Sequence, residues 1–466
     1  MKVELHDFWR KYVHHFRETF FLSIPVIIGQ LGFMLMGFID NLMIGDVGYI
    51  HLSAASLANS MFFFILVLGI GIVMAITPLV AEVHAAGDNK KVGDFFRQGS
   101  WVGLIVGIIL GGLTFFSAEL LPYLNQPPED VALAKSYLQI ISFSVLPLML
   151  FRAGKSFAEG ASLTRPAMYV VLAGLVFNVL ANWLLIYGNW GFPRLELDGA
   201  GYGTLASRIF MMILMGAYLF TSKDFKAFRL LDGWHKWQTK VMRKILEIGL
   251  PSGLQYFFEV GAFVGASVII GTMDDGSVQR AAHQIAIQYG ALAYMVVSGL
   301  AAGSTIRVGN ALGRKDFVSV RRAGMAGIGL GAAFMLVSAI IFLFGRNILP
   351  ALFAEDTRVL EIASVLMIFA SAFQLFDGIQ AVGLGILRGI QDVVVPTWIA
   401  LGSYWGISIP LGCLLAFPLE LGVVGMWYGF VVALVVASIL LTARFWKLTG
   451  EMIEKHQKVD NLAVML

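Results

Sequence analysis

The sequence predicts an all-α polytopic membrane protein, with twelve transmembrane helices in two pseudo-symmetric six-helix bundles. Three observations carry this. Hydrophobic residues make up 58% of the chain and charged ones only 14%, with a mean hydropathy of +0.79, whereas soluble domains are about a quarter charged. Apolar runs longer than about 18 residues recur along the chain, and at roughly 35 residues per span and loop its 466 residues hold about twelve of them. No ten-residue alternating strands occur, so helices are left to satisfy the backbone in lipid. The third observation is an internal repeat. LSIPVIIGQ (22–30) matches IGLPSGLQY (248–256), pairing Pro25 with Pro251. VAEVHAAGDNKKVGDFFRQG (80–99) matches TIRVGNALGRKDFVSVRRAG (305–324), Gly87 against Gly313 and Gly99 against Gly324, and LELDGAGYG (195–203) answers LELGVVGMWYG (419–429). Six spans per half is an even number, so the halves run in the same direction, a parallel repeat with a cleft between two bundles.

The elements follow in order. Span one (18–44) contains Pro25, which removes a backbone hydrogen bond and permits a bend, and Asp40 near its outer end. Span two (52–83) is a long apolar run, and span three (93–122) carries Gly103, Gly107 and Gly111 at a spacing that lets a neighbouring backbone approach. Span four (130–153) precedes span five (165–188), which puts Asn178 and Asn182 on one helix face, as span six (199–221) does Ala200 and Thr204. Arg208, isolated on span six, either pairs with an acid or snorkels outward. Span seven (241–271) repeats the proline as Pro251 and adds Glu259. Span eight (281–308) opens on AAHQ, whose His283 and Gln284 either line the cleft, cap the helix or pack. Span nine (318–346) repeats the close-packing glycines with Gly327 and Gly331, and span ten (357–386) holds Asp377. Span eleven (395–417) contains the single cysteine, Cys413, which excludes a disulfide framework or cysteine-based metal site. Span twelve (423–446) closes the second half. The expected organisation is an interfacial segment (1–17), an amino-terminal bundle (18–221), a linker (222–240), a carboxy-terminal bundle (241–447) and a tail (448–466).

Charge sets the orientation. All but a handful of the 33 Lys and Arg residues fall at the termini and in the even-numbered connections, so both termini are expected in the cytoplasm. Arg97, Arg307, Arg314 and Lys315 are expected to serve this orientation and to meet anionic lipid. The first residues lack the basic start, apolar middle and small-residue cleavage site of a signal peptide. Phe8, Trp9, Tyr12, Val13 and Phe16 fall on one helical face, which suits either a segment lying in the inner interface or a plain lead-in to span one. The linker is the longest and most basic connection, and its Phe225, Phe228, Trp234 and Trp237 are expected to rest on that interface while one bundle pivots against the other.

Three carboxylates point to function. Asp40, Glu259 and Asp377 lie in the apolar stretches LGFMLMGFIDNLMIG, LQYFFEVGAFVG and FASAFQLFDGIQAVG. An ionised acid in hydrocarbon is costly, so such residues usually face a cavity and handle a proton, a metal ion or a cationic substrate; the plainer role is a hydrogen bond to a neighbouring helix. No Walker motif, GxSxG or HExxH is present, which argues against ATP as driver and against an intramembrane enzyme.

Over its whole length the chain resembles the multidrug and toxic compound extrusion (MATE) transporters, and within them the NorM-like branch. The motifs that carry the resemblance are FIDNLMIGDVG (38–48) after Pro25, LSAASLANS (52–60), AEVHAAGDNKKVGDFFRQG, FNVLANWLLIYG (177–188), GAGYGTLASR (199–208), AAHQIA (281–286), STIRVGNALGRKD (304–316) and LRGIQD (387–392). The resemblance implies alternation between outward-open and inward-open states and export of small organic cations against inward flow of protons or sodium. It implies no cofactor, no nucleic-acid partner, a monomer in contact with membrane lipid, and the inner membrane of a prokaryote. A lipid-linked oligosaccharide flippase of the same superfamily is the rival reading, but the embedded charges here are mainly acidic, where phosphates call for a basic cavity.

Site residues follow from the same resemblance. Asp40 matches the coupling acid of the amino-terminal bundle, with Asn178, Asn182, Ala200 and Thr204 around it. Asn182 stands where some members carry Asp, which weakens a sodium site. Glu259 and Asp377 match the NorM-like acids of helices seven and ten; if they meet, repulsion between them makes the pair a natural proton acceptor. A sodium ion would sit at Asp40, Asn178 and Asn182 or between Glu259 and Asp377. Phe373 replaces a frequent Tyr and forgoes its hydroxyl, so protons are favoured slightly over sodium. Met36, Tyr256, Phe257, Phe258, His283, Gln284 and Phe373 are the cleft candidates, and Pro25 and Pro251 the hinges.

Overall fold

The computed structural model describes residues 2–124, 127–234 and 236–465, with side chains at 13–123, 127–234, 236–458 and 461. The side chains of Phe8, Trp9 and Tyr12, expected on an interfacial face, lie outside the described residues. Every regular element among the described residues is a helix. The membrane-length helices are α1 (Val13–Gly45), α2 (Tyr49–Ala85), α3 (Asn89–Tyr123), α4 (Pro128–Ser142 with Val145–Gly160, bent by 42°), α5 (Arg165–Leu185), α6 (Glu196–Thr221), α7 (Thr239–Gly271), α8 (Gly276–Gly313), α9 (Phe317–Phe344), α10 (Thr357–Gly389), α11 (Val394–Ala416) and α12 (Gly422–Lys458). Counting bent α4 once gives twelve, as the hydropathy predicts. The ends run beyond the apolar cores: α1 is one helix from Lys2, and α12 continues to Met465.

The repeat is visible in the backbone. After α2, α4, α8 and α10 the chain turns through one left-handed residue, at Gly87 (φ 78°), Ser162 (φ 65°), Lys315 (φ 59°) and Gln391 (φ 63°). In each case the next amide reaches back five residues to close the helix: Asp88 to Val83, Leu163 to Ala158, Asp316 to Ala311 and Asp392 to Leu387. This six-to-one closure satisfies carbonyls that the helix end leaves open. It also corrects the pairing read from sequence, since Gly87 is equivalent to Lys315 and not to Gly313. The side chains that follow are equivalent too. Asp88 accepts from the Lys91 amide at 3.0 Å and Asp316 from the Ser319 amide at 2.9 Å, each capping the next helix.

The helices divide into two compact units, Ile28–Leu254 and Met1–Ile27 with Gln255–Leu466. The chain passes from one to the other inside α1 and inside α7, just beyond Pro25 and Pro251.

In the first unit, α3 lies on α4 through the glycines singled out in the sequence. A Cβ at Gly103 would come within 3.3 Å of the Met149 carbonyl, one at Gly107 within 2.9 Å of Leu146 Cα, and one at Gly111 within 3.2 Å of the Ser142 carbonyl. The start of α7 is seated on α2 in the same way: a Cβ at Gly249 would come within 2.6 Å of the Ile72 carbonyl and one at Gly253 within 2.6 Å of that of Leu68. The linker is tied to α3 and α4, and two of its four aromatic residues are buried where an interfacial position was expected. Phe225 and Phe228 are buried against Phe157. Arg97, itself 6% exposed, pairs with Asp94 and donates to the Arg229 carbonyl at 2.9 Å, while Gln238 donates to Asp94 at 2.7 Å and Gln98 to the Lys236 carbonyl at 2.9 Å. Arg97 is thus an internal brace and not a lipid contact.

In the second unit the start of α1 is seated on α8: a Cβ at Gly299 would meet Ile27, and one at Gly303 the Ser23 hydroxyl. Arg307, another expected lipid contact, pairs instead with Glu18 and lies 3.2 Å from His15 Nδ1. Gly327 faces Ser304 and Gly331 faces Val382 and the Gly378 carbonyl, so α9 closes on α8 and α10 as the glycine spacing implies. Within α11, residues Gly402–Ser408 form a π-helical turn.

Candidate functional site

In the first unit the polar centre is built by close approach of α5 to α6. Added Cβ atoms at Gly199 and Gly203 would run into the Leu185 carbonyl and the Asn182 side chain. On α1, Gly32 lies against Val171 of α5. These contacts carry three elements to Asp40. Asn182 Nδ2 donates to Asp40 Oδ1 at 2.5 Å and Thr204 Oγ1 to Oδ2 at 3.5 Å. Asn178, wholly buried one turn before Asn182, acts on the carboxylate without a well-formed hydrogen bond, and Ala200 is buried one turn before Thr204. The five positions named from sequence therefore gather.

Arg208 is the addition. It forms no ion pair among the described residues; it donates to Ser144 Oγ at 2.5 Å, stacks 4.9 Å from the Phe62 ring, and lies within electrostatic reach of Asp40. Asp40 is thus met by two neutral donors and a nearby cation. Such a setting holds a carboxylate in place. The amide oxygens of Asn178 and Asn182 have no hydrogen-bonding partner among the described residues, and that of Asn182 points toward Gly203.

In the second unit Glu259 of α7 and Asp377 of α10 are 7% and 4% exposed. They are near enough for their charges to act on each other, as Arg388 also acts on Glu259. Sequence reasoning missed the neutral groups around them. Tyr404, carried inward on the π-helical turn of α11, is 1% exposed, and its Oη lies 3.1 Å from Glu259 Oε1 and 3.1 Å from Gln380 Oε1. Gln374, Asp377 and Gln380 recur every three residues and make one buried polar stripe along α10. Gln374 is 0% exposed with neither amide atom partnered among the described residues, and Gln380 Nε2 and Glu259 Oε2 are likewise unpartnered. The sequence QLFDGIQ carries that stripe openly. Tyr404 carries no such signal, because a π turn shifts helical phase.

The cleft candidates separate. His283 (1% exposed) and Phe373 (7%) belong to a packed aromatic core: Trp427 Nε1 donates to His283 Nδ1 at 3.1 Å, and the Phe373 ring lies 5.8 Å from Trp427 and 6.1 Å from Phe263. Neither lines an open surface. Their apolar neighbours close over them, and of the three readings for His283 packing is the one observed. Met36 is buried, Tyr256, Phe257 and Phe258 are half-buried, and Gln284 is exposed on the face of α8 away from His283. Pro25 is buried and Pro251 half-buried.

The MatE family model matches this chain twice, at residues 25–184 and 251–414, starting each time at a helix-internal proline. The chain is 34% identical over 439 residues to a probable multidrug resistance protein NorM of Rhizobium meliloti, covering 93% of this chain and 94% of that protein. It is 32% identical over 448 residues to the multidrug resistance protein NorM of Aliivibrio fischeri, covering 95% and 97%. Among solved structures it is similar to the eukaryotic MATE transporter AtDTX14, with a TM-score of 0.87 at 19% identity over 95% of this chain and 99% of that one. It is also similar to an outward-facing multidrug resistance MATE family transporter of the MOP superfamily, with a TM-score of 0.85 at 19% identity over 94% and 96%. These likenesses to solved structures bear on the fold alone.

Proposed function

Because the chain belongs to the MatE family and so is a membrane transporter and not an enzyme, we propose that it is a secondary antiporter exporting cationic, amphipathic organic compounds in exchange for an inward ion. The multidrug resistance names of its relatives support the efflux direction. The observation that carries the ionic part is the burial of Glu259 and Asp377 inside one unit, within electrostatic reach of each other. Two acids that share so little solvent cannot both stay ionised and unpaired, so a cation of some kind must balance them. That cation is alternately the substrate's own charge and the coupling ion. Asp40, with Asn178, Asn182, Ala200 and Thr204, is a second place where charge is sensed, but Arg208 leaves it little net negative charge for a metal ion. Phe373 gives no hydroxyl, and both donors to Asp40 present hydrogens, so we assign the coupling ion as H+ in preference to Na+.

Substrate binds from the cytoplasm or inner leaflet while the acids are free, and a proton arriving from outside neutralises them and releases it. A proton entering down a tenfold gradient supplies about 1.4 kcal/mol, and the membrane potential adds roughly 2.3 kcal/mol per 100 mV for each inward charge in excess of the substrate's own. The protein works as a monomer in the inner membrane, with both termini in the cytoplasm. Uptake of a fluorescent cation into everted vesicles, whose lumen corresponds to the outside, tests this under imposed proton or sodium gradients. A proton gradient should drive dye movement that Asp377→Asn and Glu259→Gln abolish; dye that moves under neither gradient would sink the proposal.

A further inference from the structure

Tyr404 has one hydroxyl hydrogen and two oxygen neighbours, Glu259 Oε1 and Gln380 Oε1, both at 3.1 Å. We propose that these residues form a hydrogen-bond relay whose direction is set by the proton on Glu259, with Tyr404 as a positioning residue that turns the Gln380 amide beside Asp377. The inference rests on the proton-exchange reading above and assigns it a switch inside the second unit.

The argument is one of satisfiability. With Glu259 ionised, the hydroxyl must donate to the carboxylate. Gln380 Oε1 then faces a bare oxygen, and the amide is better placed with Nε2 donating to Tyr404. With Glu259 protonated, the acid donates to Tyr404, whose hydrogen turns to Gln380 Oε1, and the three oxygens that meet there are satisfied as they stand. The hydroxyl hydrogen stays on Tyr404 throughout; only its direction reverses. Tyr404 and Gln380 are each 1% exposed, so bulk water is not at hand for the orientation that loses. A buried polar group left without its bond weighs the two populations about tenfold or more. Gln380 Nε2 has no partner in the orientation seen, which is the group that the turned amide would bring onto Tyr404.

The surroundings fit a device that answers to a proton. The groups facing Glu259 are Asp377 and Arg388 from α10, Tyr294 from α8, Tyr404 from α11, and Gln255 on its own helix, with Tyr256 next to Tyr294 and under Arg388. Asp377 lies one turn before Gln380, so the turned amide changes what the second acid meets. Tyr404 brings its hydroxyl in from α11 on the π-helical turn, with the Phe263 ring 5.7 Å from its own.

Difference infrared spectroscopy on the full-length protein in vesicles, between neutral and acidic buffer, tests the relay. Acidification should raise a protonated-carboxyl band that Glu259→Gln removes, together with a side-chain amide change that Gln380→Leu removes. In Tyr404→Phe the carboxyl band should persist at a higher frequency, as for an acid without a hydrogen-bonding partner, and the amide change should vanish. In transport, Tyr404→Phe and Gln380→Leu should each lower the maximal exchange rate about tenfold with KM held within about twofold, and the double variant should be no slower than either. An amide change that survives Tyr404→Phe, or losses that multiply in the double variant, overturns the relay. So does the absence of any amide change when Gln380→Leu and the parent are compared, whether or not the Tyr404 variant folds. A carboxyl band with a silent amide refutes the relay alone, whereas no Glu259 band and no proton-driven transport refute the exchange reading beneath it.

Discussion

Replacing Gly203 by Ala should disable Asp40 from two helices away. The added methyl would occupy the place of Asn182 Oδ1 and come within 3.2 Å of Asn182 Cγ and 3.3 Å of its backbone nitrogen. Asn182 must therefore swing aside, and its 2.5 Å hydrogen bond to Asp40 goes with it. A hydrogen bond to a charged group contributes about 1.5–3 kcal/mol, and overpacking costs about 1–3 kcal/mol. Ala is the better helix former by about 1 kcal/mol, so the net loss is about 1.5–5 kcal/mol. Two companions on the same helix separate the causes. Gly216→Ala meets nothing within 4 Å and should leave stability unchanged or slightly raised, and Gly199→Ala strikes the Leu185 carbonyl and should destabilise by overpacking alone. Thermal unfolding in detergent, read beside dye efflux per folded molecule, distinguishes them. Gly203→Ala should lower Tm by several degrees and reduce efflux beyond the loss of folded protein, while Gly199→Ala lowers Tm only. If Gly203→Ala is as stable and as active as the parent, the placing of Asn182 against Asp40 by close helix approach is refuted.

Arg97→Gln should release the linker from α3, because it removes both the pair with Asp94 and the bond to the Arg229 carbonyl; limited trypsin digestion at residues 223–244 should become several-fold faster. The caps answer to acid. Burial of Asp316 favours its neutral form, but hydrogen bonds from Ser319, side chain and backbone, hold its carboxyl below the usual range. A depressed value means the cap contributes fully above about pH 4 and is lost as pH falls through the folded value. Asp316→Ala should therefore cost about 1 kcal/mol at pH 7 and progressively less as acid protonates the folded carboxyl, as unfolding followed across acidic pH will report.

The twelve helices were legible because hydropathy is a local property, and the repeat because its prolines and glycines recur. Its register was legible only to within two residues, since Gly313 invites a match that hydrogen bonding gives to Lys315. Asp40, Asn182 and Thr204 could be named together from motif resemblance, and helix periodicity alone accounts for which of their neighbours share a face. Arg97 and Arg307 were misjudged for a common reason. Each looks like a surface residue by type, and each is instead satisfied by a partner far away in sequence, at Arg229 and Glu18. Tyr404 was out of reach because the π turn that aims it leaves no mark in apolar patterning.

The placing of residues 13–27 bears on synthesis. Ser23 and Ile27 are seated on Gly303 and Gly299, which leave the ribosome well over two hundred residues later. At about 5–20 residues per second this is a wait of roughly tens of seconds. The unit from Ile28 to Leu254 is continuous in sequence and can close as soon as the start of α7 is made. The opening of α1 must stay unassembled through that interval, so a segment made before the first unit is packed only after it.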